Sequence, residues 1–180
     1  MTLDDVRADL GDCRRCRLAE SRTNLVFGSG NPDADIVLVG EAPGAREDAQ
    51  GVPFVGASGR LLDSMLESIG LQRSDIYIAN VLKCRPPSNR DPRPAEIGTC
   101  IPFLFRQLDA IRPKVVGTLG NFATRVLTGR KEGITALRGE VFEVRSWTVV
   151  PMYHPAAALH NGSLRGEIRV DFERLATRIG

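Results

Sequence analysis

The sequence predicts a three-layer α/β/α sandwich around a short, mostly parallel four-stranded sheet. The first observation is Ile36–Val39, a continuous apolar and mostly β-branched run. A central parallel strand covered on both faces reads this way, whereas a half-exposed strand alternates. The second is that comparable runs recur at Asp75–Leu82, Lys114–Gly120 and Thr148–Tyr153, each separated from the last by a stretch with helical signals. The third is that strand and helix alternate, which makes right-handed crossovers and parallel pairing the natural arrangement.

In chain order, Leu3–Leu10 has helical spacing with Asp4 and Asp5 in its first turn. After the first strand, Gly40, Pro43 and Gly44 stop the extended run and turn the backbone. A helix then starts at Ser58 or Gly59, places Leu61, Leu62, Met65, Leu66 and Ile69 on one face, and ends at Gly70. Pro94–Ile111 reads as a helix with proline in its first turn and Ile101, Leu104, Leu108 and Ile111 inward. Asn121–Leu127 is a further helix, Thr128–Arg145 a turn with a hairpin-like edge, and Arg165–Ile179 an amphipathic helix covering the sheet.

A length of 180 residues suits one domain spanning 1–180, with no repeat, low-complexity tract or linker to divide it. The N-terminus lacks a basic-then-apolar leader pattern, and no apolar run approaches the roughly 20 residues that cross a bilayer. A soluble cytoplasmic monomer with no membrane association is expected. The net charge is only +2, so any nucleic-acid footprint must be a local patch. Arginine dominates the cations, with Lys83, Lys114 and Lys131 the only lysines.

The four cysteines form a close pair, Cys13 and Cys16, with Cys84 and Cys100 far downstream. Without a leader a disulfide framework is not expected, and two residues between thiols is a spacing for metal or cluster ligands. Spacing alone leaves tetrahedral zinc, an iron–sulfur cubane and unligated core thiols open.

Chemistry concentrates between Asp35 and Gly56, where a buried strand runs into a loop carrying Glu41, Glu47 and Asp48. Ligands of open α/β sheets bind at such strand ends. Asn80 interrupts the second apolar run, and His154 directly follows the fourth. Each has a plain structural alternative, a satisfied buried amide and a core histidine. The loop Lys83–Arg93 is dense in proline and arginine and offers a DNA-facing surface, or else a solvated loop carrying Cys84.

Several of these motifs, in this order, resemble family 4 uracil-DNA glycosylases, the iron–sulfur branch of their superfamily. They are Gly40–Gly44 with Glu47–Asp48 and Gly51–Gly56, then Asn80–Pro87, then His154–Leu159, and the likeness runs from Cys13 to about Leu159. It implies hydrolysis of the N-glycosidic bond of deoxyuridine in uracil-containing DNA, with a [4Fe–4S] cluster held by Cys13, Cys16, Cys84 and Cys100. It further implies that Phe54 stacks on uracil, Asn80 reads its edge, and His154 donates to O2 as charge develops there. Glu41 is the first choice for positioning water or stabilising the sugar cation, with Glu47 and Asp48 as helpers. Leu159 is the wedge into the base stack, with a core contact as its alternative. Ala42, in the substrate loop, stands where many superfamily members carry a carboxylate, so the water-activating group does not transfer from them. The basic loop Arg85–Arg93 lacks the histidine of the branch that becomes covalently trapped, so turnover without an adduct is expected. The alternative reading is a non-catalytic DNA-binding or polymerase-associated module of the same fold; a nucleotide hydrolase is disfavoured because no phosphate-loop motif follows a strand.

Overall fold

The computed structural model describes residues 1–180. In order they form α1 (Leu3–Leu10), β1 (Ser29–Gly30), β2 (Ile36–Gly40), α2 (Ala45–Gln50), α3 (Ala57–Ser68), β3 (Tyr77–Asn80) and α4 (Pro94–Ile111). There follow β4 (Val115–Leu119), α5 (Gly120–Thr128), α6 (Ile134–Leu137), β5 (Phe142–Val144), β6 (Trp147–Met152), α7 (Ala156–His160) and α8 (Arg165–Ala176). The strands lie in the order β1-β3-β2-β4-β6-β5, with the inner four parallel and β1 and β5 antiparallel at the edges.

The inner four are the strands expected from sequence, and the sheet has six rather than four. β1 has two residues, too few for any apolar alternation to announce it. β5 pairs with β6 as the hairpin-like edge anticipated near Arg145. The acidic loop also differs: Ala45–Gln50 is a short helix that starts from Gly44 and ends on a left-handed Gly51.

Period-two alternation in the fully buried strands feeds two cores. Ile36, Leu38 and Ile78 face one layer, where they meet Leu62, Met65 and Leu66 of α3 and Ile168, Phe172 and Leu175 of α8. Val37, Val39 and Ala79 face the other, against Leu104 and Leu108 of α4 and Ala123 and Leu127 of α5. The alternation and helical spacing together produce the sandwich. Because β3, β2, β4 and β6 run parallel, their C-terminal ends share one rim. The chain leaves β2 for β3 on one side and later returns to β4 on the other, so the switch point of the sheet lies beside the end of β2.

α8 is tied to the end of β6 by one buried carboxylate. Asp171 is 1% exposed. It accepts the Tyr153 backbone N–H at 3.0 Å and pairs with the Arg138 guanidinium at 2.9 Å. Removing it takes the buried carboxylate from the largely buried Arg138, which keeps only the Glu167 carbonyl and carboxylate, and leaves the buried Tyr153 N–H without its acceptor. Asp171→Ala is therefore expected to lower unfolding stability by about 3 kcal/mol or more in chemical denaturation; a loss below about 1 kcal/mol would show that solvent replaces the carboxylate.

Candidate active site

A cleft of about 590 Å³ opens at the common rim and is lined by Glu41, Ala42, Glu47, Phe54, Asn80, His154 and Leu159 among others. Seven of the residues singled out from sequence thus share one cavity, although they come from four separate segments. Asp48 does not line it. It is 5% exposed, and its Oδ1 accepts the backbone N–H groups of Thr23 at 2.8 Å and Asn24 at 3.2 Å. We therefore correct the expectation for Asp48: its Oδ1 holds the Thr23–Asn24 turn, and the residue does not line the cleft.

Asn80 ends β3 directly opposite Gly40 of β2 and is 3% exposed. Its side-chain amide makes no hydrogen bond within the protein. A Cβ at Gly40 would stand 2.5 Å from the Asn80 Oδ1 and 3.0 Å from the Phe54 ring. Only glycine lets the amide and the aromatic ring close over the end of β2.

Phe54 is 5% exposed and has a positive φ of 53°. Its ring stacks against His154 with centroids 5.4 Å apart and an interplanar angle of 27°. The His154 Nδ1 accepts the Ala156 backbone N–H at 3.0 Å, which assigns the ring proton to Nε2. Burial holds the imidazole down to about 4, so at neutral pH it is an uncharged Nε2–H donor.

Glu41 follows β2 and sits half-buried; desolvation first, and the charge of Asp91 second, raise its carboxyl above the ordinary range. Glu41 and His154 also line an adjoining groove of about 580 Å³ with Asp91, Asn121 and Arg125, so both lie on the wall between the two spaces. Glu47, in the first turn of α2, turns its carboxylate back toward Gly44 at the edge of the cleft. Leu159 on α7 is 49% exposed at its mouth. Arg46 and Arg90 also line the cleft and were not singled out from sequence. Arg90 is gripped by buried Glu96 at 2.8 and 2.7 Å, a contact that no periodic signal marks.

The four cysteines line a second, small and mostly apolar pocket with Leu10, Leu18, Leu82 and Phe103. N–H donors surround the sulfurs: Arg15 lies 3.3 Å from the Cys13 Sγ, Arg22 3.5 Å from the Cys84 Sγ, and the Lys83 backbone N–H 3.3 Å from the Cys100 Sγ. Burial pushes the Cys84 thiol up to about 12 and raises that of Cys100. No three of the side chains converge closely enough to hold one metal ion.

The His154 geometry has a direct test. The unfolded chain takes up its proton near 6.5, while the folded ring does so only near 4. The unfolded state therefore binds more protons between these values, and stability present in full above pH 6.5 falls as pH drops toward 4. Nitrogen-15 NMR is expected to find a ring protonated on Nε2 that stays neutral from pH 7 down to about 5; titration at 6.5 or above would show that burial does not depress it.

A family profile described as "Uracil DNA glycosylase superfamily" matches residues 27–175. The chain is 48% identical to the type-4 uracil-DNA glycosylase of Archaeoglobus fulgidus over 99% of its length and 94% of the relative's. It is 44% identical to that of Sulfurisphaera tokodaii over 97% of this chain and 83% of that one. For the Thermotoga maritima protein of the same name the identity is 44%, covering 90% and 86%. Likeness of this extent spans the cysteine pocket, the cleft and the sheet alike, and the chain belongs to the uracil-DNA glycosylase superfamily, in its type-4 group.

Proposed function

We propose that this uracil-DNA glycosylase reads its base through Asn80, Phe54 and His154 and hydrolyses the N-glycosidic bond with help from Glu41. The observation that carries the reading is the amide of the largely buried Asn80, which has no partner within the protein and lines the cleft beside an aromatic ring and a neutral imidazole. A base within a duplex is out of reach, so the nucleotide must be extruded and its unstacking compensated in the pocket. Phe54 supplies a replacement stack. The Asn80 amide carries a donor and an acceptor side by side, matching the O4 acceptor and N3–H donor of uracil. Cytosine presents the opposite polarity there, and a site of buried polar groups rejects it strongly.

As the bond to the sugar breaks, negative charge builds on the base and positive charge on the sugar. The His154 Nε2–H is the donor proposed for uracil O2, and being neutral beforehand it gains most when that oxygen becomes anionic. The Glu41 carboxylate would stabilise the cationic sugar or orient water against it. Glu47 borders the cleft as a lesser helper, and Leu159, apolar and exposed, suits a wedge that fills the vacated stack. The products are free uracil and an abasic site, so a labelled uracil-containing oligonucleotide treated with the protein and then alkali should break at uracil. A non-catalytic module would leave it intact.

The cysteine pocket supports a [4Fe–4S] cluster as resident group. Four thiols stand around one space without converging on a point, as a polynuclear cluster requires, and N–H donors to sulfur suit an anionic cluster. When bound, the cluster supplies a covalent clip between the N-terminal segment, the loop after β3 and α4. Anaerobically purified protein is expected to be brown and to contain iron and inorganic sulfide, whereas colourless protein with stoichiometric zinc would overturn this assignment. Cys84→Ala should lower stability before it changes any chemical step.

Asn80→Asp tests base recognition. An acceptor replaces the NH2 donor, so uracil loses one hydrogen bond and meets an unpaired acceptor, a penalty of roughly 1–3 kcal/mol. Single-turnover excision should slow by about tenfold to a hundredfold. An unchanged rate, with folding matched to the parent, would return Asn80 to a structural role.

A further inference from the structure

We propose that Arg73 is a positioning residue for uracil recognition, locking the backbone of Phe54 so that its ring is presented as a fixed platform. This rests on the reading of Phe54 as the residue on which uracil stacks. Arg73 does not line the cleft. It sits in the short turn ahead of β3, and its side chain is 29% exposed.

Phe54 needs such a device. Its φ of 53° is left-handed, a region that a bulky residue occupies only when its surroundings impose it. The Arg73 guanidinium donates Nη1 to the Pro53 carbonyl at 3.0 Å and Nη2 to the Phe54 carbonyl. These two carbonyls belong to the peptide planes on either side of the Phe54 Cα. One rigid planar cation therefore fixes both planes, and with them both torsions of Phe54. Nη2 also reaches the Gly59 carbonyl at 3.3 Å, and Nε is held by the Asp63 carboxylate of α3. The first turn of α3 closes the grip, since a Cβ at Gly59 would lie 2.1 Å from the Phe54 carbonyl oxygen. Lysine has no planar fork with which to hold two carbonyls at once.

The test combines Arg73→Gln, Arg73→Lys, Phe54→Ala and the double variant Phe54→Ala/Arg73→Gln. Three quantities are measured in each: single-turnover excision from uracil-DNA, inhibition by free uracil, and affinity for DNA carrying a tetrahydrofuran abasic analogue. Phe54→Ala should slow excision by about tenfold to a hundredfold, the range for one lost base–aromatic stack. Both Arg73 variants should reproduce most of that loss and weaken uracil inhibition by a similar factor. Their affinity for tetrahydrofuran DNA should be unchanged, because no base enters the cleft there. The double variant should be no slower than Phe54→Ala alone, since Arg73 acts only through that ring. Additive losses, or weakened tetrahydrofuran binding in parallel with excision, would make Arg73 a general structural residue and overturn the proposal. Parental rates in both Arg73 variants beside a slow Phe54→Ala would overturn it while leaving the platform intact. A fast Phe54→Ala would remove the platform itself, and the role of Arg73 with it. Arg73→Lys keeps the positive charge beside Asp63, so it supplies the readout should Arg73→Gln fold poorly.

Discussion

Gly40 faces Asn80 across the β2–β3 ladder, and the site depends on that register. Both strands are buried on both faces, so a slip of one residue would swap the contents of the two cores and drive the amide away from the rim. The pairing continues past the strands, where the Val81 and Leu82 N–H groups donate to the carbonyls of Gly40 and Glu41 at 3.0 Å. Asn80 and Glu41, the residue that follows β2, are therefore held by one continuous ladder. His154 reaches the same rim from β6, two strands away, because the intervening β4 keeps all four strand ends level.

Burial then decides the charge states. The same desolvation that lowers His154 raises Glu41, each toward its neutral form. For histidine the outcome is a donor with no charge of its own, whose hydrogen bond strengthens as its partner becomes anionic. For Glu41 the outcome is a carboxylate whose ionised form is less comfortable in the resting cleft, and most stabilised when positive charge appears beside it. In the cysteine pocket burial likewise favours the neutral thiols of Cys84 and Cys100, but cationic donors oppose it. Arg22 and Arg15 stand against sulfur there, and such donors favour an anionic group that free thiols would not provide.

The inner strands were legible because two-sided burial leaves continuous apolar runs, and the helices because α1 and α4 carry clear starts and periodic faces. Asn80 stood out as the one polar residue near the end of such a run, and His154 as the residue after another. What sequence could not supply depends on distance along the chain. Asp48 has the composition of a catalytic acid, yet its partners lie about 25 residues away in the Thr23–Asn24 turn. Arg90 belongs to a loop that reads as free cations, but Glu96 holds it. The left-handed Phe54 is invisible in composition, because phenylalanine carries no propensity for that region; the arginine that holds it lies beyond α3.

Lys83 draws these parts together. It is 0% exposed, and its Nζ donates to the Asn80 carbonyl at 2.8 Å and the Gln107 Oε1 at 2.7 Å. Gln107, on α4, donates onward to the Phe27 carbonyl at 2.8 Å. The Lys83 backbone meanwhile gives its N–H to the Cys100 Sγ and accepts the Val26 N–H at 2.8 Å. A buried ammonium must keep its acceptors or incur a heavy desolvation cost, and burial does hold this one down to about 8. The end of β3, the Val26–Phe27 segment, α4 and the cysteine pocket are thus fastened at one residue. Rigidity at the cysteines is consequently rigidity at Asn80, only three residues before Lys83. The cysteine pocket, which does not line the cleft, thereby helps fix the position of Asn80 on the cleft wall.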